Sequence, residues 1–391
     1  MTPALSRFID CARWIAALTV ALHHAHGAFI NQGDIMTASH APPVYVWWFL
    51  TAYPFAHGAV VVFFVLSGFL VGGAVIERAG SSKAFLRNYL IDRTSRIYVV
   101  LVPTILLVFF FDTLGRSLFG GLGVYEMSFY DGAFDPKFIL TTLLSLQGVW
   151  FPTYGTNIAL WSLGMEYWYY IVFALLMLPR STAYAPAVRW VAFALGVALF
   201  AGLSASGTYF LFGAFVWLLG ALTRIAPRPL IRSKWLALVL WIAAASAIRL
   251  LTRGAVVEDH PRKEILDAIN ALFFANILLT LRFDTGEGFA WCRARFHSVF
   301  ADFSYTLYAT HMSLLAFLWA FSAWAFGKDW RLQLATPTHY AFATGALLAV
   351  VLVAYAMSRI TEARTAEVRA WLRRVAPGAA DGAKPGTARP S

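Results

Sequence analysis

Apolar runs, each close to the roughly 20 residues that cross a hydrocarbon core, follow one another along the chain. Short connectors between them collect most of the Lys and Arg. Ten spans are expected, near 9–28, 56–76, 95–113, 157–178, 186–204, 207–224, 235–251, 264–282, 299–321 and 340–358. The eighth opens on charged residues, and 40–55 (APPVYVWWFLTAYPFA) either starts the second helix early or lies along the interface. The expected fold class is therefore all-α, a polytopic transmembrane helix bundle of about ten spans. No internal repeat and no appended soluble domain is legible.

The connectors alternate in charge. The second holds Arg78, Lys83, Arg87, Arg93 and Arg96, the sixth Arg224, Arg228, Arg232 and Lys234, and the eighth Arg282, Arg293 and Arg295. The first and fifth hold no Lys or Arg, and the third dilutes Arg116 and Lys137 with Asp112, Glu126, Asp131 and Asp135. Since Lys and Arg favour the cytoplasmic side, both termini are expected there, with odd-numbered connectors outside. Residues 1–358 then form one transmembrane domain and 359–391 a basic cytoplasmic tail. Its end, APGAADGAKPGTARPS, has the composition of a disordered segment.

Composition agrees and narrows the reading. At 60% hydrophobic and 13% charged over 391 residues, with mean hydropathy +0.65, the chain is too apolar for a soluble domain. The net charge of +11 lies in the connectors, so it encodes orientation rather than a nucleic-acid surface. The two cysteines, Cys11 and Cys292, fall at one membrane face and suggest neither a disulfide framework nor a metal cluster. Arg13 interrupts the first run and histidines follow it, so that run is expected to stay as the first span rather than be cleaved.

That first run, CARWIAALTVALHHAH, carries the candidate chemistry. Arg13 and His24 are eleven positions apart, about three helical turns, so both lie on one face roughly 16 Å apart along the axis. An ionisable group inside a span costs about 2.5–3.5 kcal/mol on insertion scales and by default marks a functional site. The bland alternative for Arg13 is snorkelling to the surface with Asp10 as its partner.

The spacing raises a resemblance. IDCARWIAALTVALHH resembles the opening of the acyltransferase-3 family of membrane acyltransferases, whose first helix carries an Arg, ten residues, then a His. This places the family histidine on His24, not on His23 or His26. FFVLSGFL (Phe63–Leu70), RTSRIY (Arg93–Tyr98), LWSLGMEYWYY (Leu160–Tyr170) and FSYTLYATHMSLL (Phe303–Leu315) are similar to further family blocks, in family order. Val99 stands where a Pro is common, which touches a local kink and no chemical group.

The resemblance implies transfer of an acyl group, usually acetyl, from cytoplasmic acyl-CoA to a hydroxyl of an envelope or exported glycan. It also implies a bacterial-type inner membrane. The expected partners are acetyl-CoA or another acyl-CoA, a glycan or lipid-linked sugar, and membrane lipid, with no nucleic acid and no metal.

Arg93 and Arg96, with Arg87 and Lys83 near, would bind the donor's phosphates, although topology alone also enriches such a connector in Arg. His24 is the expected base, taking the acceptor proton, or else a transient acyl carrier. Arg13 would hold the thioester oxygen, a phosphate or a developing oxyanion. Glu166, near mid-membrane, would orient an imidazole or neutralise Arg13, against a purely structural ion pair. His311, also at mid-depth, reads as a hydrogen-bonded interior histidine or an acid–base group. Ser67 beside Gly68 suits close helix approach and is carried as a donor-binding candidate. Trp161 and the YWYY run read as packing or an interfacial belt, and His57 as a group lining an acceptor path. His23 and His26 lack the companions a metal site needs, and LSGF lacks a hydrolase elbow's context. The rival function is a proton-coupled transporter with Arg13, Glu166 and His311 as an intramembrane relay.

Overall fold

The computed structural model describes residues 1–31, 33–37, 39–79, 84–252 and 262–375. Lys83 and the 376–391 segment, both subjects of the expectations above, lie outside the described residues. Among those residues the chain is all-α, with no β-strand. Helices appear at every expected span: α1 (Pro3–Phe29), α2 (Tyr53–Ser67), α3 (Phe85–Phe119), α4 (Trp161–Met177) and α5 (Pro186–Ser204). They continue as α6 (Phe210–Thr223), α7 (Lys234–Leu251), α8 (Lys263–Arg282), α9 (Ser304–Phe326) and α10 (Pro337–Ile360), followed by α11 (Thr365–Val375).

By length and hydropathy, 8 helical segments among the described residues suffice to cross a membrane. α1 and α6 are not among them. The 14 residues of α6 are few, and in α1 the Arg13 and histidines that supply chemistry also lower its hydropathy. α1 is instead an interior helix, packed against α2, α8, α9 and α10. Thr2 starts it, its hydroxyl accepting the Leu5 N–H at 3.3 Å with Pro3 in the first turn. Ala17, Ala21 and Ala25 are fully buried at a spacing of four, a smooth stripe that lets neighbouring helices come close. At the periphery, α7 exposes Trp235, Leu236, Val239 and Ile242, and α5 exposes Val188, Trp190 and Val191, apolar faces suited to lipid.

α2 passes through a π-helical turn, Gly68–Gly72, and resumes as Gly73–Arg78. The turn coincides with the closest approach to α6. A methyl group on Gly68 would collide with the Trp217 carbonyl, and one on Gly220 with the Val65 carbonyl, so each backbone lies against the other. The small residues of FFVLSGFL thus have a packing reason. Gly68→Ala is expected to destabilise the fold by about 1–3 kcal/mol through overpacking, seen as a lowered melting temperature in detergent. An unchanged melt would mean that the two helices separate freely.

The connector before α4 is built rather than slack. Asp112 accepts the Thr156 N–H at 2.8 Å and its hydroxyl at 2.7 Å. Asn157 then donates its amide to the Ala309 carbonyl at 2.7 Å. The Tyr308 hydroxyl donates to Ala159 O at 3.1 Å and so accepts from Ser162 at 2.6 Å. These bonds fix the turn of α9 that carries His311. At the other end of the bundle α11 packs on α3, with Arg369 and Arg373 at 3.0 and 2.9 Å from Asp92.

Candidate active site

Two of the expected site residues meet directly. His24 of α1 and His311 of α9 are 287 positions apart in sequence, yet His24 Nδ1 lies 2.8 Å from His311 Nε2. Their ring planes lie 11° from parallel, with centroids 5.0 Å apart. His311 is fully buried, and its Nδ1 lies 2.8 Å from the Tyr308 carbonyl and 3.3 Å from that of Leu307.

The bonding partners fix the tautomers. A carbonyl only accepts, so the His311 proton sits on Nδ1, and a neutral His311 presents a lone pair at Nε2. His24 must then donate Nδ1–H to that lone pair. The lone pair of a neutral His24 is thereby placed on Nε2, on a side chain that is only half-buried. His311 is an interior, hydrogen-bonded histidine that accepts from the neighbouring imidazole. An imidazole held in one tautomer, with its free nitrogen turned from the orienting partner, is arranged as a base or nucleophile.

Arg13 lies elsewhere. α1 is unbroken from Pro3 to Phe29, so Arg13 sits about 16 Å along the axis from His24. Its guanidinium lies 3.6 Å from Glu362 Oε1, and that same oxygen takes a 2.9 Å bond from Arg96. The other oxygen accepts the Thr306 N–H at 3.2 Å and its hydroxyl at 3.1 Å. One carboxylate thus joins α1, α3, α9 and the chain after α10. The pairing with Asp10 that the bland alternative offered gives way to one with Glu362.

The same carboxylate separates the two arginines of RTSRIY. Arg96 is committed to Glu362, whereas Arg93 Nε is buried with no hydrogen-bond partner among the described residues. Arg93 lines a cavity of ≈ 230 Å³ together with Arg78, Asn88, Tyr89 and Asp92. That is a pocket with cationic and amide donors and room for an anion.

Glu166 does not orient an imidazole or neutralise Arg13. It takes a 2.5 Å bond from the Tyr170 hydroxyl one turn later on α4. Tyr170 also lies 3.1 Å from the Ser67 hydroxyl, which accepts the Trp217 indole N–H at 3.0 Å. Both residues therefore belong to a buried polar network at the π-turn, and packing occupies the Ser67 oxygen. Trp161 packs beside Phe64 and Tyr209. Of the remaining histidines, His23 Nδ1 donates to Thr51 O at 2.7 Å, and His26 accepts the Trp47 indole N–H at 2.8 Å. No group of His, Cys, Asp and Glu suited to a metal ion occurs among the described residues.

Comparison with known proteins decides what this arrangement belongs to. The acyltransferase domain of the acyltransferase-3 family matches residues 6–356, nearly the whole bundle. The chain belongs to that family. No curated protein and no solved structure matches it. The protein is thus a multi-pass membrane acyltransferase, whose chemistry requires an acyl donor and an acceptor.

Two features of the acyltransferase were not found by sequence reasoning. Glu362 stands after the last apolar run among arginines, where it reads as part of a charged tail. Asp267 stands in the polar opening of α8, and is buried with His57 at 2.9 Å and the Tyr209 hydroxyl at 2.8 Å. A signal for Glu362 did exist: Arg13 and Arg96 are too costly inside a bundle without a carboxylate.

Proposed function

We propose that this acyltransferase moves an acetyl group from cytoplasmic acetyl-CoA to a hydroxyl of an envelope or exported glycan, as a free or lipid-linked chain, in a bacterial-type inner membrane. The observation that carries the reading is the His24–His311 hydrogen bond, which leaves the His24 Nε2 lone pair facing away from its orienting partner. The Arg-rich connectors put the Arg93 end of the bundle inside and the His24 end outside. Ten spans with both termini cytoplasmic follow from the same count, with α1 and α6 crossing as interior helices.

The steps balance without a metal or redox partner. Coenzyme A phosphates rest against Arg93 and Arg78, and the extended thiol arm points along α1 from Arg13 towards His24. His24 Nε2 removes the acceptor hydroxyl proton while that oxygen attacks the thioester carbonyl. The carbon–sulfur bond breaks, and the proton held by Nε2 passes to the leaving thiolate. His24 acting as a transient acyl carrier would use the same lone pair. A transporter relay is not favoured: Arg13, Glu166 and His311 sit in three separate hydrogen-bonded groups.

The direct test supplies labelled acetyl-CoA to inside-out vesicles and follows label into glycan. Transfer that stops in a well-expressed His24→Ala variant supports the reading, and transfer at the parental rate overturns it. The donor site has its own prediction. Arg93→Ala is expected to raise the apparent KM for acetyl-CoA about tenfold or more, the worth of a charge-assisted hydrogen bond, with the acceptor KM unchanged. An equal rise in both would place Arg93 outside the donor site.

A further inference from the structure

α1 turns its histidine–arginine flank towards α9 and α3, and another flank borders a larger cavity. This cavity, ≈ 310 Å³, lies between α1, α2, α7 and α8. It is lined along α1 from Phe8 to Thr19, about 16 Å of helix axis. The two ends differ in chemistry. Phe8 and Leu238 make one end apolar, while His57 and Asp267 lie towards the other, with Asn270 and the Trp241 that bonds it between them. His57, Asp267 and Asn270 are buried at 5%, 3% and 5% exposure. Asp267 is bonded to His57 and Tyr209, and Asn270 donates to Gly58 O at 3.1 Å and accepts from Trp241 at 2.8 Å. The mouth is framed by Ile15, Leu50 and Ile242, at 40%, 51% and 52% exposure. In a bilayer such a mouth opens onto hydrocarbon, not water.

Two rings separate the polar end from His24. The His57 ring stacks on Tyr53 at 5.7 Å, Tyr53 meets His23 edge-on at 5.5 Å, and His23 lies 5.3 Å from His24. A row of four rings therefore leads from the groove to the base.

We propose that this groove seats the aliphatic tail of a lipid-linked acceptor, with its head group at the His57–Asp267 end and its hydroxyl presented to His24. The inference rests on the reading of His24 as the acyl-transfer base and on the outward orientation of that end. Polarity selects the occupant. A lipid of the outer leaflet enters head outward and tail inward, which matches a groove that is polar towards His24 and apolar towards Phe8. The acyl chain of a coenzyme A donor would carry its polar end at the Arg-rich side, the reverse of what the groove offers.

The test uses the full-length protein in phosphatidylglycerol vesicles containing a trace of polyprenyl phosphate with a photoactivatable diazirine at the far end of its tail. Labelling is expected on the Phe8–Ala16 stretch of α1 and near Leu238 of α7. Unlabelled polyprenyl phosphate should compete, and added phosphatidylglycerol or a water-soluble sugar phosphate should not. Ala245→Trp, on the peripheral α7, fills the groove and is expected to cut labelling about tenfold at an unchanged melting temperature. Ser246→Trp, on the same wall, serves if that variant does not fold. Labelling displaced equally by phosphatidylglycerol, or unaffected by filling, overturns the proposal. Labelling needs no acyl transfer, so its failure leaves the His24 assignment standing. Specific labelling in a protein that transfers nothing would remove only the enzymatic reading.

Discussion

His24→Ala is expected to lower kcat for acyl transfer by about 10²–10⁴-fold, the range for removing a positioned general base, while the apparent KM for acetyl-CoA stays within about twofold. The proposed donor contacts, Arg93 and Arg78, line a cavity that His24 does not border, which is why the loss should fall on kcat. His311 provides the matching control. It donates its Nδ1–H to the Tyr308 carbonyl and accepts from His24, so it acts through another imidazole. His311→Phe should cost less than His24→Ala, about 10–100-fold in kcat, and the double variant should cost little more than His24→Ala alone. His311→Gln, whose amide oxygen can accept from His24 Nδ1, should recover part of the loss that Phe causes. Steady-state kinetics in detergent or vesicles reads all four. Fully additive losses in the double variant would show that the histidines act separately.

That pair was half legible in the sequence. Apolar runs located the helices because bilayer thickness imposes a length that few other environments require. The resemblance to the acyltransferase-3 opening picked His24 from three histidines, and helical periodicity set it on one face with Arg13. His311 was found as a residue, but its meeting with His24 joins positions 287 apart, and packing of α1 on α9 creates it. Arg93 and Arg96 show the same limit. They look equivalent in RTSRIY, and only the closure of Glu362 onto Arg96 pairs one cation and leaves the other lining a cavity. The partner of Glu166 was not legible for the converse reason. A carboxylate at mid-span invites a catalytic partner, and here Tyr170, one turn away, satisfies it.

Glu362→Ala is expected to cause the largest loss of stability. One carboxylate, 4% exposed, faces the guanidiniums of Arg13 and Arg96, which are 23% and 34% exposed. Removing it strands two cations and leaves the Thr306 N–H without its acceptor. Breaking a buried pair typically costs 3–5 kcal/mol, and the partial solvation of both arginines puts this one at about 3 kcal/mol. Glu362→Gln keeps one acceptor oxygen, for Thr306 or for the arginines but not for both, so it should lose less. Thermal unfolding in detergent gives the order: parent, then Gln, then Ala. The same cluster adjoins the proposed donor site, which supplies a second reading of the variant. If Glu362 holds Arg96 away from phosphate, freeing Arg96 strengthens donor binding. Coenzyme A should then raise the melting temperature of Glu362→Ala by more than it raises that of the parent, since a ligand at 100 times its Kd stabilises by about 2.7 kcal/mol and a tighter site gains more at equal concentration. An Ala variant that melts with the parent would show that Glu362 does not tie α1 to α3. Equal stabilisation of both by coenzyme A would place Arg96 outside the donor's reach and leave the phosphate contact to Arg93.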